Sequence, residues 1–297
     1  MAIIPYYETH ETPDAETPGT IKITYSSPVG LPTPEEVRKR WCYGLTLADK
    51  FGRPMDDRDI LGFLMAAVKD TERQLGIFLK PTVIRCNAET RELVQGVDYE
   101  VEEPPYDYDV QRWRNFGFVQ LRQRFASKIE SFKLVTYGGQ INIDFMQHQD
   151  WIKLYKKSSQ LHVVTKGGGV PVLAGYPAGY SAAPFAIGLL SQTPQVFHID
   201  YTAGLTKEQL TEDIRAVIGK QAAVSVLGVA GDAAMAGVAG YSLTLDGVAE
   251  SFQSTASAMY GTYSAHITQL QTEVDNFFSP AGGGARTKMR GFTMGGI

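Results

Sequence analysis

The chain has 297 residues, a net charge of −4 and 43% hydrophobic residues, enough to bury the core of one large domain or two smaller ones. The acidic balance excludes the overall basic footprint of a nucleic-acid-binding protein. The sequence shows no signal-peptide pattern and no run of roughly 18 uninterrupted apolar residues that would span a membrane. We therefore expect a soluble, intracellular product that does not enter a membrane.

The N-terminal residues predict an arm followed by a helix start. Residues 1–32 are rich in proline, threonine and acids, and 20–25 form one plausible strand, which favours an arm or edge strand over a core element. Thr33 then has the position of a helix N-cap, with Pro34 at the first helical position. A short helix is expected to begin there.

The clearest helix of the N-terminal half is predicted at 57–79. Ile60, Leu64, Val68 and Leu75 recur at helical spacing and give it one apolar face. Three carboxylates stand at its start: Asp56, Asp57 and Asp59. They could suggest a metal site, but acids at a helix N-terminus also match the helix dipole, and we favour that interpretation.

From residue 81 to about 165 the hydrophobic period changes to two, which predicts strands. The predicted strands cover 83–86, 97–101, 119–121, 132–135, 141–143, 151–154 and 161–164. Residues 137–140, Tyr-Gly-Gly-Gln, are the best hairpin turn. An aromatic and arginine-rich stretch at 106–124 resembles a nucleic-acid surface, but neighbouring acids favour a sheet edge or a subunit contact.

The C-terminal half predicts a strand and two helices. Alternation at 196–201 indicates a half-buried strand. Thr206 and Gln209 have the spacing of a capping box, which predicts a helix start. A glycine- and alanine-rich break is expected at 228–240, and a second helix, roughly 37 Å long, is predicted at about 254–278.

The apolar seam of this second helix is longer than one small domain needs, so we expect it to pack on other helices, in this chain or in other copies. The residues expected to bind partners there are Met259, Tyr263, Ile267 and Leu270. Segment 279–297 is glycine-rich and carries cations without acids, and is interpreted as an arm that orders on a partner. Its expected partner-binding residues are Arg286, Lys288, Arg290, Phe292 and Ile297.

The sequence contains no recognised catalytic, cofactor-binding or metal-binding constellation. Phosphate-loop, nucleophile-elbow and paired metal-ligand motifs are missing. His162 and His198 lie within apolar alternations, which favours strand residues over ligands. Cys42 and Cys86 are expected to be free buried thiols in a reducing compartment. We therefore expect a protein that is not an enzyme and has no cofactor.

These elements predict an α+β protein with a helical core, a β-rich insertion and extended terminal arms. The helical core would comprise two hairpin-like segments, from the N- and C-terminal parts of the chain. The expected boundaries are 1–32 for the N-terminal arm, 33–80 and 195–278 for the helical core, 81–194 for the β-rich insertion and 279–297 for the C-terminal arm.

Four passages together resemble head–tail connector (adaptor) proteins of tailed bacteriophages. The helix at 57–79, with the proline-containing exit at 75–82, is similar to an amphipathic helix near the start of those proteins. Residues 129–154 are similar to a β segment of their larger members. Residues 199–204, Ile-Asp-Tyr-Thr-Ala-Gly, resemble their Y-x-A-G strand-turn-helix, and 240–257 resemble the stretch before their final helix. The resemblance covers about half of the chain.

The resemblance implies a structural protein of the phage neck in the virion, assembled in the host cytoplasm. Such adaptors form a twelve-fold ring under the portal protein and present a surface to a tail-side neck or terminator protein. DNA would pass through the bore without sequence-specific binding, since an acidic bore repels phosphates. Two alternatives stay open: another phage tail or baseplate component, and a carboxylate-based hydrolase. The number of copies in the assembly would discriminate between the three.

Overall fold

The computed structural model describes residues 6–13, 21–48, 51–88, 92–109, 118–135, 141–163, 192–235, 240–245, 248–253 and 263–279. It confirms the α+β class. The chain divides into two compact units. The helical unit takes its described residues from within Met1–Leu75 and Lys207–Met289, and the sheet unit takes its described residues from within Gly76–Thr206.

The helices in chain order are α1 (Pro34–Glu36), which continues into a π-helical turn (Val37–Trp41), α2 (Asp57–Leu75), α3 (Glu212–Met235) and α4 (Ser264–Phe278). A 3₁₀ segment covers Phe145–Trp151. The strands are β1 (Glu8–Pro13), β2 (Ile21–Ser26), β3 (Thr82–Cys86), β4 (Val101–Glu103), β5 (Tyr106–Asp109), β6 (Phe118–Gln120), β7 (Ala126–Val135), β8 (Ile141–Asp144), β9 (Ile152–Tyr155), β10 (Gln160–Val163), β11 (Gln192–Ala203), β12 (Gly240–Leu245) and β13 (Val248–Gln253).

Helix α3 is the centre of the helical unit and packs against α2, α4 and the π-helical turn. Its buried residues include Ile214, Ile218 and Leu227, as expected for a helix that is apolar on all sides. Over Glu212–Gly231 this helix is also long and apolar enough to cross a membrane. That criterion rests on length and composition only, and a buried core helix meets it too.

The predicted helix start at Thr33 is confirmed. The Thr33 hydroxyl accepts a hydrogen bond from the Glu36 amide at 3.3 Å, and the Glu36 carboxylate accepts one from the Thr33 amide at 3.1 Å. This reciprocal pair is a capping box. Helix α2 confirms the amphipathic helix predicted at 57–79, with Ile60 and Leu64 buried. It ends earlier than predicted, before Gly76 at φ +67°, because glycine readily adopts this helix-terminating conformation.

The N-terminal segment is bound to the helical unit rather than extended as a free arm. Strands β1 and β2 pair antiparallel. Before them, Tyr6 and Tyr7 are buried. The Tyr6 hydroxyl donates to Glu72 at 3.1 Å and accepts from Lys69 at 2.7 Å. Since buried hydroxyls require partners, these contacts fix the start of the segment on α2. Strand β2 (Ile21–Ser26) confirms the strand predicted at 20–25.

Helix α3 differs from its prediction at both ends. It begins at Glu212, and residues 207–209 form a turn, so Thr206 and Gln209 do not cap a helix. Acids at Glu212 and Asp213 occupy its first turn, which matches the helix dipole. The helix also continues through Gly228 to Met235, where a break was predicted. Burial of Val226, Leu227 and Ala230 offsets the roughly 1 kcal/mol cost of a helical glycine.

The long helix predicted at 254–278 is shorter, and a hairpin precedes it. Helix α4 begins at Ser264, and residues 254–262 lie outside the described residues. Strands β12 and β13 pair antiparallel from Gly240↔Gln253 to Leu245↔Val248. The missed signal is Asp-Gly at 246–247 between two alternating runs, which is the strongest short-range indication of a two-residue hairpin.

The sheet unit contains two sheets. In the larger one the strand order is β4-β3-β11-β7-β8, and β5 also pairs with β11; the smaller one is β6-β10-β9. The core between them is aromatic: the rings of Phe132 and Phe145 stack at 4.3 Å, and Phe197 lies 5.7 Å from Phe132. The β-rich character predicted for 81–165 is confirmed. The turn predicted at 137–140 lies outside the described residues, although β7 and β8 pair as expected.

Two strand assignments are corrected. Residues 195–203 were predicted as part of the helical core, but they belong to β11, which pairs with β3, β5 and β7 in the sheet unit. The strand predicted at 97–101 begins only at Val101. Residues 96–98 form a turn in which the Asp98 carboxylate accepts from the Val94 amide at 2.8 Å. Val97 is therefore 81% exposed.

Candidate functional site

Two of the passages that resemble phage adaptors meet in the sheet unit. Strand β11 pairs with β3 through Tyr201↔Ile84 and Ala203↔Thr82. At the end of β11, Gly204 has φ +128°, and a Cβ on it would stand 2.0 Å from the Lys80 carbonyl oxygen. The chain can approach so closely there only because glycine has no side chain.

The next residue continues this junction. The Leu205 amide donates to the Phe78 carbonyl at 3.0 Å, and the Gly204 amide donates to the Phe125 carbonyl at 3.2 Å. The exit of α2 at 76–81 and the Y-x-A-G turn at 201–204 thus form one site, which we call the 80/204 junction. Nothing in the sequence alone indicates that these passages touch.

Beside this junction a buried carboxylate joins two tyrosines. The Glu103 Oε2 atom accepts from the Tyr106 hydroxyl at 3.0 Å and from the Tyr201 hydroxyl at 2.9 Å. The Gln123 side chain donates to the Glu103 Oε1 atom at 2.7 Å. The Arg122 guanidinium lies 4.0 Å from the centre of the Tyr106 ring. The sequence places Glu103 only three residues before Tyr106, but it gives no sign that Tyr201 joins them.

Each tyrosine hydroxyl of this network has several hydrogen-bond partners. Backbone amides of Arg122 and Gln123 donate to the two tyrosine hydroxyls at 3.1 and 3.2 Å, so both oxygens have several partners. Burial raises the pKa of Tyr106 to about 12 and raises the pKa of Tyr201 further still. Both hydroxyls therefore stay protonated and donate to Glu103. A buried carboxylate with several hydrogen-bond partners stabilises the strands that it joins.

The partner-binding residues predicted on the second helix are mostly covered by the chain itself. Ile267 is 0% and Leu270 4% exposed, and α4 packs on α3. The Tyr263 hydroxyl donates to the Thr46 carbonyl at 3.0 Å. The seam therefore packs on a helix of the same chain, one of the two arrangements expected for it, and α3 covers Ile267 and Leu270 in the single chain. Met259 lies outside the described residues, as do Arg286, Lys288, Arg290, Phe292 and Ile297.

The aromatic stretch predicted as a sheet edge or subunit contact is in part core. Tyr106 and Tyr108 are each 7% exposed, and both belong to the apolar cluster of the sheet unit. Phe118 is half-buried at the end of the smaller sheet. Residues 110–117 of this stretch lie outside the described residues.

The helical unit has an exposed apolar groove where α2 and α3 lie together. It encloses about 810 Å³ and is lined by Met55, Gly62, Phe63, Ala66 and Val229, together with charged residues of 53–59. Val229 is 49% exposed, and Phe51, just before the lining segment, is 71% exposed. Exposed apolar groups that cluster in this way mark surfaces that bind other molecules.

Within the described ranges, no group of three or more histidine, cysteine or carboxylate side chains could hold a metal ion. Of the three acids at the start of α2, Asp57 forms an ion pair with Arg38 at 2.9 Å, and Asp56 and Asp59 are exposed. Cys42 and Cys86 are both buried and form no disulfide, as predicted. Burial raises the pKa of the Cys42 thiol to about 11, so it is no nucleophile at neutral pH.

No protein-family model and no curated protein sequence matches the chain. Solved structures with similar chains include the following two. A chain in "Virion of native gene transfer agent (GTA) particle" is 16% identical, with a TM-score of 0.36 over 65% of this chain and 76% of that one. A chain in "Neck of empty GTA particle computed with C6 symmetry" is 15% identical, with a TM-score of 0.35 over 81% and 88%. At these TM-scores the similarity carries no argument about function.

Proposed function

We propose that this chain is a structural protein of the neck of a phage-like virion, an adaptor between the portal protein and a tail-side neck or terminator protein. The observation that carries the proposal is the 80/204 junction. The α2 exit and the Y-x-A-G turn lie more than a hundred residues apart in sequence, yet Gly204 stands directly against Lys80. Two of the four passages that together resemble the adaptor family are thus parts of one structural element.

The adaptor is proposed to act as a ring, with twelve copies as the resemblance implies, and with DNA passing through its bore. Copies would contact one another through the apolar groove around Phe63, Ala66 and Val229, because this surface is exposed in the single chain. Burying such a surface between copies is favourable at about 25 cal/mol per Å². This contact replaces the one predicted for Ile267 and Leu270.

The segment 279–297 is proposed to bind the portal protein. Its sequence combines Arg286, Lys288 and Arg290 with the apolar residues Phe292 and Ile297, and has no acid. Cations beside apolar residues suit a segment that is added to an acidic groove or sheet edge of a partner. Ordering such a segment costs roughly 1–2 kcal/mol per residue, so its contacts must be numerous.

The chain is proposed to have no enzymatic activity. Among the described residues, two carboxylates of its β region are buried, Glu103 and Asp200. Glu103 accepts hydrogen bonds from Tyr106, Tyr201 and Gln123, and Asp200 accepts one from the Cys86 amide at 2.8 Å. A glycoside hydrolase would need two carboxyl groups facing each other across an open site. Another tail or baseplate component is the second candidate, since an exposed apolar groove suits any repeated assembly.

Native mass spectrometry of the purified chain, with particle imaging of portal-bearing heads, tests the proposal. Twelve copies in a ring on the portal would support the adaptor. Six copies without portal binding would favour a tail or baseplate component. A monomer that cleaves a polysaccharide or peptidoglycan, and loses this activity on one carboxylate substitution, would favour the hydrolase.

Truncation after Phe278 tests the role of the C-terminal segment separately. The shortened chain should keep its melting temperature, because α4 ends at Phe278, and should still form rings, but it should fail to join portal-bearing heads. Charge reversal at Arg286, Lys288 and Arg290 in the full-length chain is the matched variant and should have the same effect. Normal joining of the truncated chain would contradict this role.

A further inference from the structure

The smaller sheet of the sheet unit has one buried apolar face and one face that carries polar and aromatic side chains. Val119, Leu161 and Val163 are buried. The residues between them in sequence project from the opposite side of the strands, because side chains alternate along a strand. On that side His162 pairs across the strands with Phe118 and Lys153. In the next row Gln160 pairs with Gln120 and Tyr155.

Lysines on β9 and in the turn after it give this part of the smaller sheet a positive charge. Lys153 on β9 and Lys156 and Lys157 in the following turn are all exposed, and none of the three forms an ion pair with another described residue. The sequence has no aspartate or glutamate from residue 151 to 199, although the whole chain has a net charge of −4. A polyanion is therefore the complementary partner for this surface.

The turn that carries two of these lysines is held rigidly. The Gln120 side-chain amide donates to the Ser158 carbonyl at 2.8 Å. Ser159 is fully buried, and its hydroxyl accepts from the Ala126 amide at 2.9 Å. Its own amide donates to the Tyr155 carbonyl at 2.7 Å. Lys156 and Lys157 are thus presented from a fixed backbone, which lowers the entropic cost of binding.

An aromatic side chain stands beside the lysines. Tyr155 is 55% exposed, and its ring lies 4.9 Å from the His162 ring in an edge-on arrangement. The His162 ring in turn lies 5.2 Å from Phe118. Burial lowers the pKa of His162, so this ring is neutral at pH 7 and supports Tyr155 by packing rather than by charge. Tyr155 therefore offers a supported, exposed aromatic surface.

We propose that this surface, formed by Lys153, Tyr155, Lys156, Lys157 and His162, binds single-stranded nucleic acid without sequence preference. Phosphates would contact the three lysines, and an unpaired base would stack on Tyr155. A duplex fits less well, because its bases stay stacked on each other and cannot cover the tyrosine. The inference goes beyond the proposed function, which requires only that duplex DNA pass through the ring.

Fluorescence anisotropy with the full-length chain and a labelled oligothymidine of about 12 nucleotides tests the proposal. Binding should be measurable at low salt, and the logarithm of affinity should fall with the logarithm of salt concentration with a slope of about −2, as expected for three phosphate contacts. A duplex of the same length should bind clearly more weakly. Binding should weaken about tenfold in Tyr155→Ala, the loss expected for one stacked base.

Two matched controls exist. Tyr43 is 83% exposed in the helical unit, so Tyr43→Ala should leave binding unchanged. The second control is Lys128→Glu, at an exposed lysine that is paired with Glu130. It changes the net charge of the sheet unit as much as Lys156→Glu does. Only Lys156→Glu should weaken binding and reduce the slope of affinity against salt concentration. The proposal would be overturned if the oligothymidine did not bind at low salt or if the duplex bound with equal affinity. It would also be overturned if Tyr155→Ala bound as tightly as the unchanged chain, or if polyglutamate competed as well as nucleic acid does. None of these outcomes bears on whether the chain forms a ring, which is tested separately.

Discussion

The indole of Trp41 occupies the space that a side chain at position 219 would need. A Cβ on Gly219 would stand 2.2 Å from two indole carbon atoms, so α3 and the π-helical turn pack in contact at this glycine. Trp41 is also held through its carbonyl oxygen, 2.9 Å from the His266 ring. Gly219→Ala should therefore lower the free energy of unfolding by about 1–3 kcal/mol, the usual cost of overpacking a core.

The same substitution in the same helix provides the control. A Cβ on Gly228 would meet nothing within 4 Å, so Gly228→Ala should raise stability by about 0.5–1 kcal/mol through better helix propensity. Urea unfolding of both variants measures the two effects. Equal effects in the two variants would show that Trp41 does not pack on Gly219 as described.

Gly204→Ala should be among the most destabilising substitutions in the chain. The new methyl group would collide with the backbone of Lys80, and φ at this position is +128°, so we expect a loss of about 3 kcal/mol or more. Gly76→Ala is the comparison, because φ there is +67° but the space is open; it should cost about 1 kcal/mol. Urea unfolding followed by circular dichroism would rank them, and similar losses would argue against the 80/204 junction.

Glu103→Ala should destabilise the sheet unit by about 2–4 kcal/mol, because it leaves the buried hydroxyls of Tyr106 and Tyr201 without their shared acceptor. In the Tyr106→Phe/Tyr201→Phe background the same substitution should cost less, since no hydroxyl is then left unpaired. Chemical unfolding of the four-variant cycle measures this coupling. Additive losses would mean that the three groups act independently.

Val229→Asp and Ile267→Asp should separate assembly from folding. Val229 is 49% exposed, so the aspartate should change stability by less than about 0.5 kcal/mol but should disrupt the ring. Ile267 is fully buried, and a carboxylate there should cost several kcal/mol and unfold the helical unit. Native mass spectrometry and melting temperatures measure both effects. Intact rings of folded Val229→Asp would exclude the groove as the contact between copies.

Stability should fall as pH rises from 9 to 11, in part because of Cys42. Burial raises the pKa of its thiol from 9.0 to about 11 in the folded chain. Between these values the unfolded chain loses the proton while the folded chain keeps it, so the contribution is complete below pH 9 and is lost as pH rises through 11. Urea midpoints between pH 8 and 10 should fall less steeply in Cys42→Ala. Identical slopes would show that this thiol does not titrate differently on folding.

Local patterns in the sequence determined much of the secondary structure. Alternation identified strands β3, β7 and β11, and helical spacing identified α2, because a side chain's face follows from its position in the repeat. Thr33 was identified as an N-cap because capping depends on neighbouring residues only. The free thiols of Cys42 and Cys86 were also anticipated. The hairpin at 240–253 was missed although Asp-Gly marked it. Apolar residues spaced three and four apart, which indicate a helix, were given more weight than the alternation of apolar and polar residues, which indicates a strand.

Only the tertiary structure decided which partners these elements have. The seam containing Ile267 and Leu270 looked surplus because a sequence does not show that α3 covers it. The continuation of α3 through Gly228 likewise depends on burial against α2 and α4, which outweighs weak local propensity. The approach of Gly204 to Lys80 and the contact of Glu103 with Tyr201 join residues distant in the chain, and the pairing of Lys153 with His162 depends on the register of β9 and β10. Such contacts depend on sheet register and helix packing, and local sequence does not specify either.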